Sequence, residues 1–327
     1  MLSQNKAVGG YFELELPYGN EHYYPSALKY QSARSAFYAL LLHYKPKKVW
    51  MPFYICDSML VPLNEANVTV SFYGIYSDFS IRDEIQLNDG ELLLYVNYFG
   101  ICGNIEDMLM EKFDPLKLIF DHSQAFFSQP KECLATIYSP RKFFGVPDGG
   151  FLVTRLPIDQ PSKIDEESIN RCSHLLKRLA GDPENGYGDY KTAEESLKEI
   201  EPKGMSLLTS RILCAVDYSS VKKKREDNFI SLHEELKNKN KLEIDPGDIA
   251  GPLIYPLWLD GGRDIKSLLK KERLFIATYW LDCLKRVSNR SFESLLVSDL
   301  IPLPCDQRYS FSKMKEIISE VLNVYRR

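Results

Sequence analysis

No apolar run in the 327 residues approaches the roughly eighteen that a membrane-spanning helix needs. The opening MLSQNKAVGGYFELEL lacks the uninterrupted apolar stretch of a secretory signal. A soluble, cytoplasmic protein with no membrane partner is therefore expected. Positive charge is not in excess either: 41 Lys and Arg against 45 Asp and Glu leave a formal net charge of −4. No surplus exists to hold a nucleic-acid backbone by counterion release, so nucleic acid is not an expected partner. The seven cysteines are odd in number, scattered, and never form C-x-x-C, and they read as reduced core thiols. The five histidines show no H-E-x-x-H or comparable spacing, so no metal is expected. Internal repeats and low-complexity tracts are also missing, and 44% hydrophobic with 26% charged residues is an ordinary globular balance.

What is present between Ser32 and Thr154 is an alternation of helix-like and strand-like segments, the pattern of a parallel sheet with crossover helices. Helices are expected over Ala33–Tyr44, from Asp57 towards Asn67, and from Asn104 or Asp107 to Lys112. Strands are expected over Lys48–Met51, Val68–Ile75, Leu92–Tyr98, Leu118–Asp121, Leu134–Tyr138 and Gly150–Thr154. The charged stretch from Leu156 to Lys203 reads as helices over Asp165–Leu179 and Lys191–Ile200, with GDPENGYGDY (Gly181–Tyr190) as an exposed loop between them. A single long helix is expected from Ser206 to Lys239, its basic run Lys222–Arg225 a solvated face. EIDPGDIAGP (Glu243–Pro252) is the best boundary signal, giving a large unit over 1–245 and a smaller one over 246–327. The latter reads as a strand Leu253–Leu259, helix Asp264–Lys271, strand Leu274–Trp280 and helix Ser312–Val324.

Three signals in the first half carry chemistry. Asp121-His-Ser-Gln124 follows the apolar strand Leu118-Ile-Phe120, which puts polar side chains at a strand's carboxyl end, where open α/β sheets place ligands. Ser139-Pro-Arg-Lys142-Phe-Phe-Gly-Val-Pro-Asp-Gly-Gly150 also follows a strand, with Lys142 placed 21 residues beyond Asp121. Ser32-Ala-Arg-Ser35 opens a buried helix, where unpaired N–H groups attract phosphate. An aspartate, a lysine and a phosphate cradle are the parts a pyridoxal phosphate site needs. Each residue alone has a plain alternative: a lysine after a strand decorates a surface, an aspartate there caps a turn, and His122 points away into the core. Tyr279-Trp280 and Asp306-Gln-Arg308 are candidates for lining a substrate entrance, against which the aromatic pair has the plainer reading of core.

In these motifs the chain resembles the DegT/DnrJ/StrS-type sugar aminotransferases of the fold-type-I pyridoxal phosphate superfamily. Asp121-His-Ser-Gln124 is similar to that family's D-x-x-Q. Lys142 with Pro147-Asp-Gly-Gly150 is similar to its lysine followed by G-D-G-G or G-E-G-G, Ser32-Ala-Arg-Ser-Ala36 to its G-T-A, and Lys48–Cys56 to its strand ending in proline and an aromatic-rich loop. The resemblance implies a large domain with a mostly parallel sheet flanked by helices, a smaller C-terminal α+β domain, and a homodimer. It implies pyridoxal 5'-phosphate as cofactor, a nucleotide-linked keto-sugar and an amino acid donor as small-molecule substrates, and transamination as the reaction. Lys142 becomes the Schiff-base lysine and proton shuttle. Asp121 pairs with the pyridine nitrogen, Gln124 contacts the phenolic oxygen, Arg34 and Ser35 hold the phosphate with Ser139 assisting, and Tyr54 is the aromatic nearest the ring-stacking position. The chain departs from the pattern at Ile137, five residues before the lysine, where the family has serine, at Arg34 in place of threonine, and in lacking an N-x-R-M loop. An eliminating enzyme on the same cofactor, or a non-catalytic binding member of the family, are the competing expectations.

Overall fold

The computed structural model describes residues 9–19 and 21–326; the first eight residues, read above for a secretory signal, lie outside the described residues. A short strand β1 (Leu28–Tyr30) precedes α1 (Ala33–Tyr44), which starts where Ser32 accepts a hydrogen bond from Ser35 N–H and stops at Lys45 in the left-handed region. The chain continues through β2 (Lys48–Pro52), α2 (Val61–Glu65), β3 (Thr69–Tyr73), β4 (Glu91–Val96), α3 (Gly103–Lys112), β5 (Leu118–His122), β6 (Ala135–Tyr138) and β7 (Gly150–Thr154). Together the strands form one seven-stranded sheet in the order β1-β7-β6-β5-β4-β2-β3. The pairs β2/β3, β2/β4, β4/β5 and β5/β6 are parallel, while β7 runs antiparallel to both β6 and β1. β4, β5 and β6 are buried along their whole length, as central strands covered by helices on both faces must be.

The expected strands and the helix Ala33–Tyr44 are in place, and β1 is an addition that three residues were too few to signal. The segment after β7 differs from expectation. α4 (Ser173–Leu179) is followed at once by α5 (Pro183–Ser196), so the stretch expected as an exposed loop is mostly helix. α5 packs along α4 here, with Gly186 against it: a Cβ at that position would come to 3.4 Å from His174 O and Lys177 Cβ. Ser173 and Lys177 then both bond Asp189 across the pair. Tertiary packing overrides the roughly 1 kcal/mol that each mid-helix glycine costs.

The expected long helix is two, α6 (Leu207–Cys214) and α7 (Tyr218–Leu236), because Asp217 caps a new start by accepting from Ser220 N–H at 3.0 Å. The second unit holds β8 (Ile254–Trp258), α8 (Gly262–Lys271), α9 (Phe292–Asp299), β9 (Leu300–Pro304) and α10 (Phe311–Tyr325). Leu274–Trp280 is not a strand: β8 takes its antiparallel partner from β9, with Pro256 opposite Pro302, where the missing N–H donors cost no ladder bond to a third strand. Two apolar cores result. The larger fills the sheet and its helices, and the smaller joins Phe229, Leu232 and Leu236 of α7 to β8, β9, α8 and α10. The strand and helix pattern is that of a large domain with a mostly parallel sheet flanked by helices and a smaller C-terminal α+β domain. Among the described residues no helix is long and apolar enough to cross a membrane, and no cluster of His, Cys, Asp and Glu could hold a metal.

Candidate functional site

β5 and β6 lie side by side in parallel, with Asp121 opposite Ile137 and His122 opposite Tyr138. Side chains alternate across a strand, so the two neighbours Asp121 and His122 face opposite sides of the sheet. His122 goes into the core as expected, its Nε2 at 2.5 Å from Glu106 Oε1, with Asn97 Nδ2 donating to the same oxygen at 3.1 Å. Asp121 turns to the other face, where Oδ1 accepts from Ser123 N–H at 2.8 Å and the second oxygen has no partner among the described residues. Gln124, fully buried, accepts from Phe99 N–H at 3.2 Å through Oε1, while its Nε2 is buried with no acceptor. An enclosed amide donor left unpaired costs about 1–3 kcal/mol.

β6 ends at Tyr138, and Ser139 leads into a single helical turn, Pro140–Lys142. The Ser139 hydroxyl makes no cap bond to this turn. Lys142 is exposed, and among the described residues its ammonium has neither a carboxylate nor a carbonyl partner. The carboxyl ends of two adjacent strands thus carry a carboxylate oxygen, an amide donor, a hydroxyl and an ammonium that no described residue pairs with. This donor and acceptor set fits pyridoxal phosphate: an acceptor for a protonated ring nitrogen, a donor for a phenolic oxygen, and an amine for a carbonyl carbon.

The first turn of α1 is different. Ser35 is fully buried; its N–H donates to Ser32 Oγ at 3.1 Å, its hydroxyl shares a hydrogen bond with Ser32 Oγ at 3.0 Å, and its oxygen accepts from Gln31 Nε2 at 3.3 Å. In this arrangement its side chain is satisfied within its own turn. Gln31 Nε2 also donates to Glu199 O and Glu201 O, and Arg34 Nη1 donates to Leu197 O at 3.3 Å. Arg34 is the member of the expected cradle that keeps capacity, with Nε buried and unpaired. Burial lowers its pKa, Cys56 and Glu194 work the other way, and Arg141 adds to the lowering. Arg141 itself is ion-paired to Glu194 of α5. The Tyr54 ring is 0% exposed, stacked on Tyr98 at 5.7 Å and met edge-on by Trp280 at 4.6 Å, and Tyr279 of the same aromatic cluster lies 5.8 Å from Phe99.

One motif residue carries a structural task that sequence reasoning passed over. Asp148, within Pro147-Asp-Gly-Gly150, is fully buried and accepts from Ser206 N–H at 2.7 Å, Ser206 Oγ at 2.8 Å and Thr209 Oγ1, holding the start of α6. Burial raises its carboxyl pKa against those hydrogen bonds. A Cβ on Gly150 would fall 2.3 Å from Ser32 C and 2.4 Å from Ala33 N, so only glycine lets β7 press against the start of α1.

No protein-family model matches the chain, and no curated protein matches it in sequence. Solved structures do match. The Helicobacter pylori aminotransferase PseC, involved in the biosynthesis of pseudoaminic acid, is 17% identical, with 92% of this chain and 86% of that one covered at a TM-score of 0.60. NtdA of Bacillus subtilis with its cofactor PMP bound is 17% identical, covering 92% and 73% at 0.64. A DegT DnrJ EryC1 StrS aminotransferase from Brucella abortus is 15% identical, covering 91% and 85% at 0.60. Over nearly its whole length, then, the chain has the fold of the sugar aminotransferases that its motifs resemble.

Proposed function

We propose that the protein is a pyridoxal phosphate-dependent aminotransferase. The observation that carries this reading is the set of unpartnered polar groups on Asp121, Gln124, Ser139 and Lys142 at the ends of β5 and β6, on a fold shared with aminotransferases. Pyridoxal phosphate, when bound, supplies a carbonyl carbon for an amine and a ring that draws electrons from the carbon next to it. The Asp121 carboxylate would hold a proton on the ring nitrogen, keeping that ring electron-poor. The Gln124 amide would donate to the phenolic oxygen through the Nε2 that now lacks an acceptor. The Arg34 guanidinium, always charged and able to give paired N–H bonds, would take the phosphate, with the Ser139 hydroxyl as a further donor. Lys142 Nζ, within reach of the carbonyl carbon that the group supplies, would be the amine that binds it and the base that holds and moves the proton of the donor's α-carbon.

The finer reading is transfer of an amino group from an amino acid such as glutamate to a nucleotide-linked keto-sugar, in a homodimer. It is supported by the motifs quoted above and by the sugar-pathway role of PseC. A second reading is favoured by the first turn of α1, whose serines are spent on one another: a non-catalytic member that has given up phosphate binding.

One experiment separates them. The purified protein and Lys142→Ala are incubated with pyridoxal phosphate, desalted, and their visible absorption compared. Retained colour in the wild type, erased by borohydride and absent in Lys142→Ala, with a glutamate-induced change of spectrum, is the expected outcome. Since Lys142 is exposed and unpaired, the substitution should leave the melting temperature unchanged. Colour in neither protein selects the non-catalytic reading, and retained colour without any response to amino donors points to elimination.

A further inference from the structure

The basic run Lys222–Arg225 was expected to be a solvated helix face, and three of its four residues keep some exposure. Arg225 does not: it is 2% exposed, one of the largest fully enclosed side chains in the protein. No carboxylate lies within ion-pair distance of it among the described residues. Its guanidinium is instead given to main-chain carbonyls, Nη1 to Pro252 O at 3.0 Å and Leu253 O at 3.3 Å, and Nη2 to Phe143 O at 3.3 Å. It also lies over the Phe143 ring, 4.6 Å from the centroid. Phe143 is the residue after Lys142. Its carbonyl receives a second donor, Gln307 Nε2 at 2.9 Å, from the segment after β9.

Those carbonyls belong to a longer connection. Leu253 N–H donates to Phe99 O at 2.8 Å, and Phe99 N–H donates to Gln124 Oε1 at 3.2 Å. Phe99 is held at φ 58°, a left-handed conformation unusual for a phenylalanine, which aims its N–H and C=O along this path. Arg225 thereby closes a chain of hydrogen bonds that starts at Gln124, crosses the entry to the smaller unit, and ends on the turn that carries Lys142. Burying an unpaired cation is costly, and simple packing would be met by leucine or methionine. The five donors of a guanidinium are suited to tying several carbonyls from different segments at once.

We infer that Arg225 is a positioning residue for Lys142: it pins the Pro140–Phe143 turn to the first residues of the smaller unit, so that the lysine's place is set from both units. This rests on the reading of Lys142 as the reactive amine, while its test does not depend on the cofactor. Arg225→Met and Arg225→Lys are made in the full chain and compared with wild type by amide hydrogen exchange and by competitive acetylation of lysines with acetic anhydride, read by mass spectrometry. Removing the donors in Arg225→Met should speed exchange at Phe143 and Phe144 by about tenfold or more. It should also change the acetylation rate of Lys142 severalfold, with Lys112 and Lys315 unchanged, while Arg225→Lys recovers part of both effects. Where Arg225→Met fails to fold, Gln307→Leu, which removes the other donor to the same carbonyl from a part-exposed position, should give the same pattern at smaller size. Unchanged exchange and labelling at 142–144, or a uniform loosening that spares no lysine, would overturn the proposal. A wild type that shows the pattern but never retains pyridoxal phosphate would uphold the pinning and sink the aminotransferase reading.

Discussion

Along the ends of β5 and β6, Asp121, Gln124, Ser139 and Lys142 keep polar atoms that nothing among the described residues satisfies, whereas at the first turn of α1 Gln31, Ser32 and Ser35 bond to one another, with Gln31 also donating to Glu199 O and Glu201 O. Both places were read from sequence as parts of one ligand site. Polar groups that a fold needs for itself are paired within it, because leaving them unpaired costs free energy that folding has little margin to lose. Groups left unpaired at a strand end are supported by the rest of the fold and are free for a ligand. That contrast supports the proposal that the rim of the sheet is the reactive part, with Arg34 the group of the α1 turn that keeps an unpaired donor.

The contrast can be broken most strongly inside the lysine motif itself. Asp148 sits six residues from Lys142, yet every hydrogen bond it makes goes to α6. Asp148→Ala should lower the unfolding free energy by about 2–4 kcal/mol in urea denaturation, from three lost bonds to one buried carboxylate. Lys142→Ala should lower it hardly at all. Equal midpoints for Asp148→Ala and wild type would remove the structural reading of this motif.

A sharper cut separates Arg34 from its neighbour. Arg34→Gln should weaken retention of pyridoxal phosphate by about tenfold, since a charge-assisted pair to phosphate is lost, with little change in melting temperature. Ser35→Ala should do the reverse, costing about 1 kcal/mol of stability and leaving retention as it was. Retention lost in Ser35→Ala would mean that the turn opens to accept the phosphate.

The smallest effect lies away from both places. His22 Nε2 is 2.9 Å from Ser210 Oγ, and burial, with Lys29, pulls its pKa down to about 4. It stays neutral in the fold at pH values where the unfolded chain binds a proton. Its contribution is therefore complete above about pH 6.5 and lost as the pH falls towards 4, amounting to about 1 kcal/mol after allowing for its partial exposure. In His22→Gln the urea midpoints at pH 7 and pH 5 should draw closer together than in wild type, and an unaltered gap would assign the acid sensitivity elsewhere.

Much of the architecture could be read without coordinates where hydrophobic runs were long and bounded. α1 has the expected limits, Ala33–Tyr44, because Ser32 and Lys45 are local signals acting on their own turn, and β7 begins at Gly150 as expected. Where several segments compete for one partner, local signals failed. Leu274–Trp280 has a strand's composition, but β9, with two prolines, occupies the edge of β8. Gly181–Tyr190 has a loop's composition, but α4 offers a surface along which α5 packs, tied by Ser173 and Lys177 to Asp189.

The candidate site divides along the same line. The sequence by itself determined that an aspartate, a glutamine, a serine and a lysine stand at strand ends in a fixed order, since strand-to-loop transitions are local events. Only the tertiary structure decided which of those groups remain unpaired, that Ser35 and Tyr54 are enclosed, and that Arg225 leaves the solvent to hold the lysine's turn. The last depends on residues far apart in the chain being brought within hydrogen-bond reach, as Arg225 is to Pro252, 27 positions on, and to Phe143, 82 positions back, and no local pattern encodes such distances.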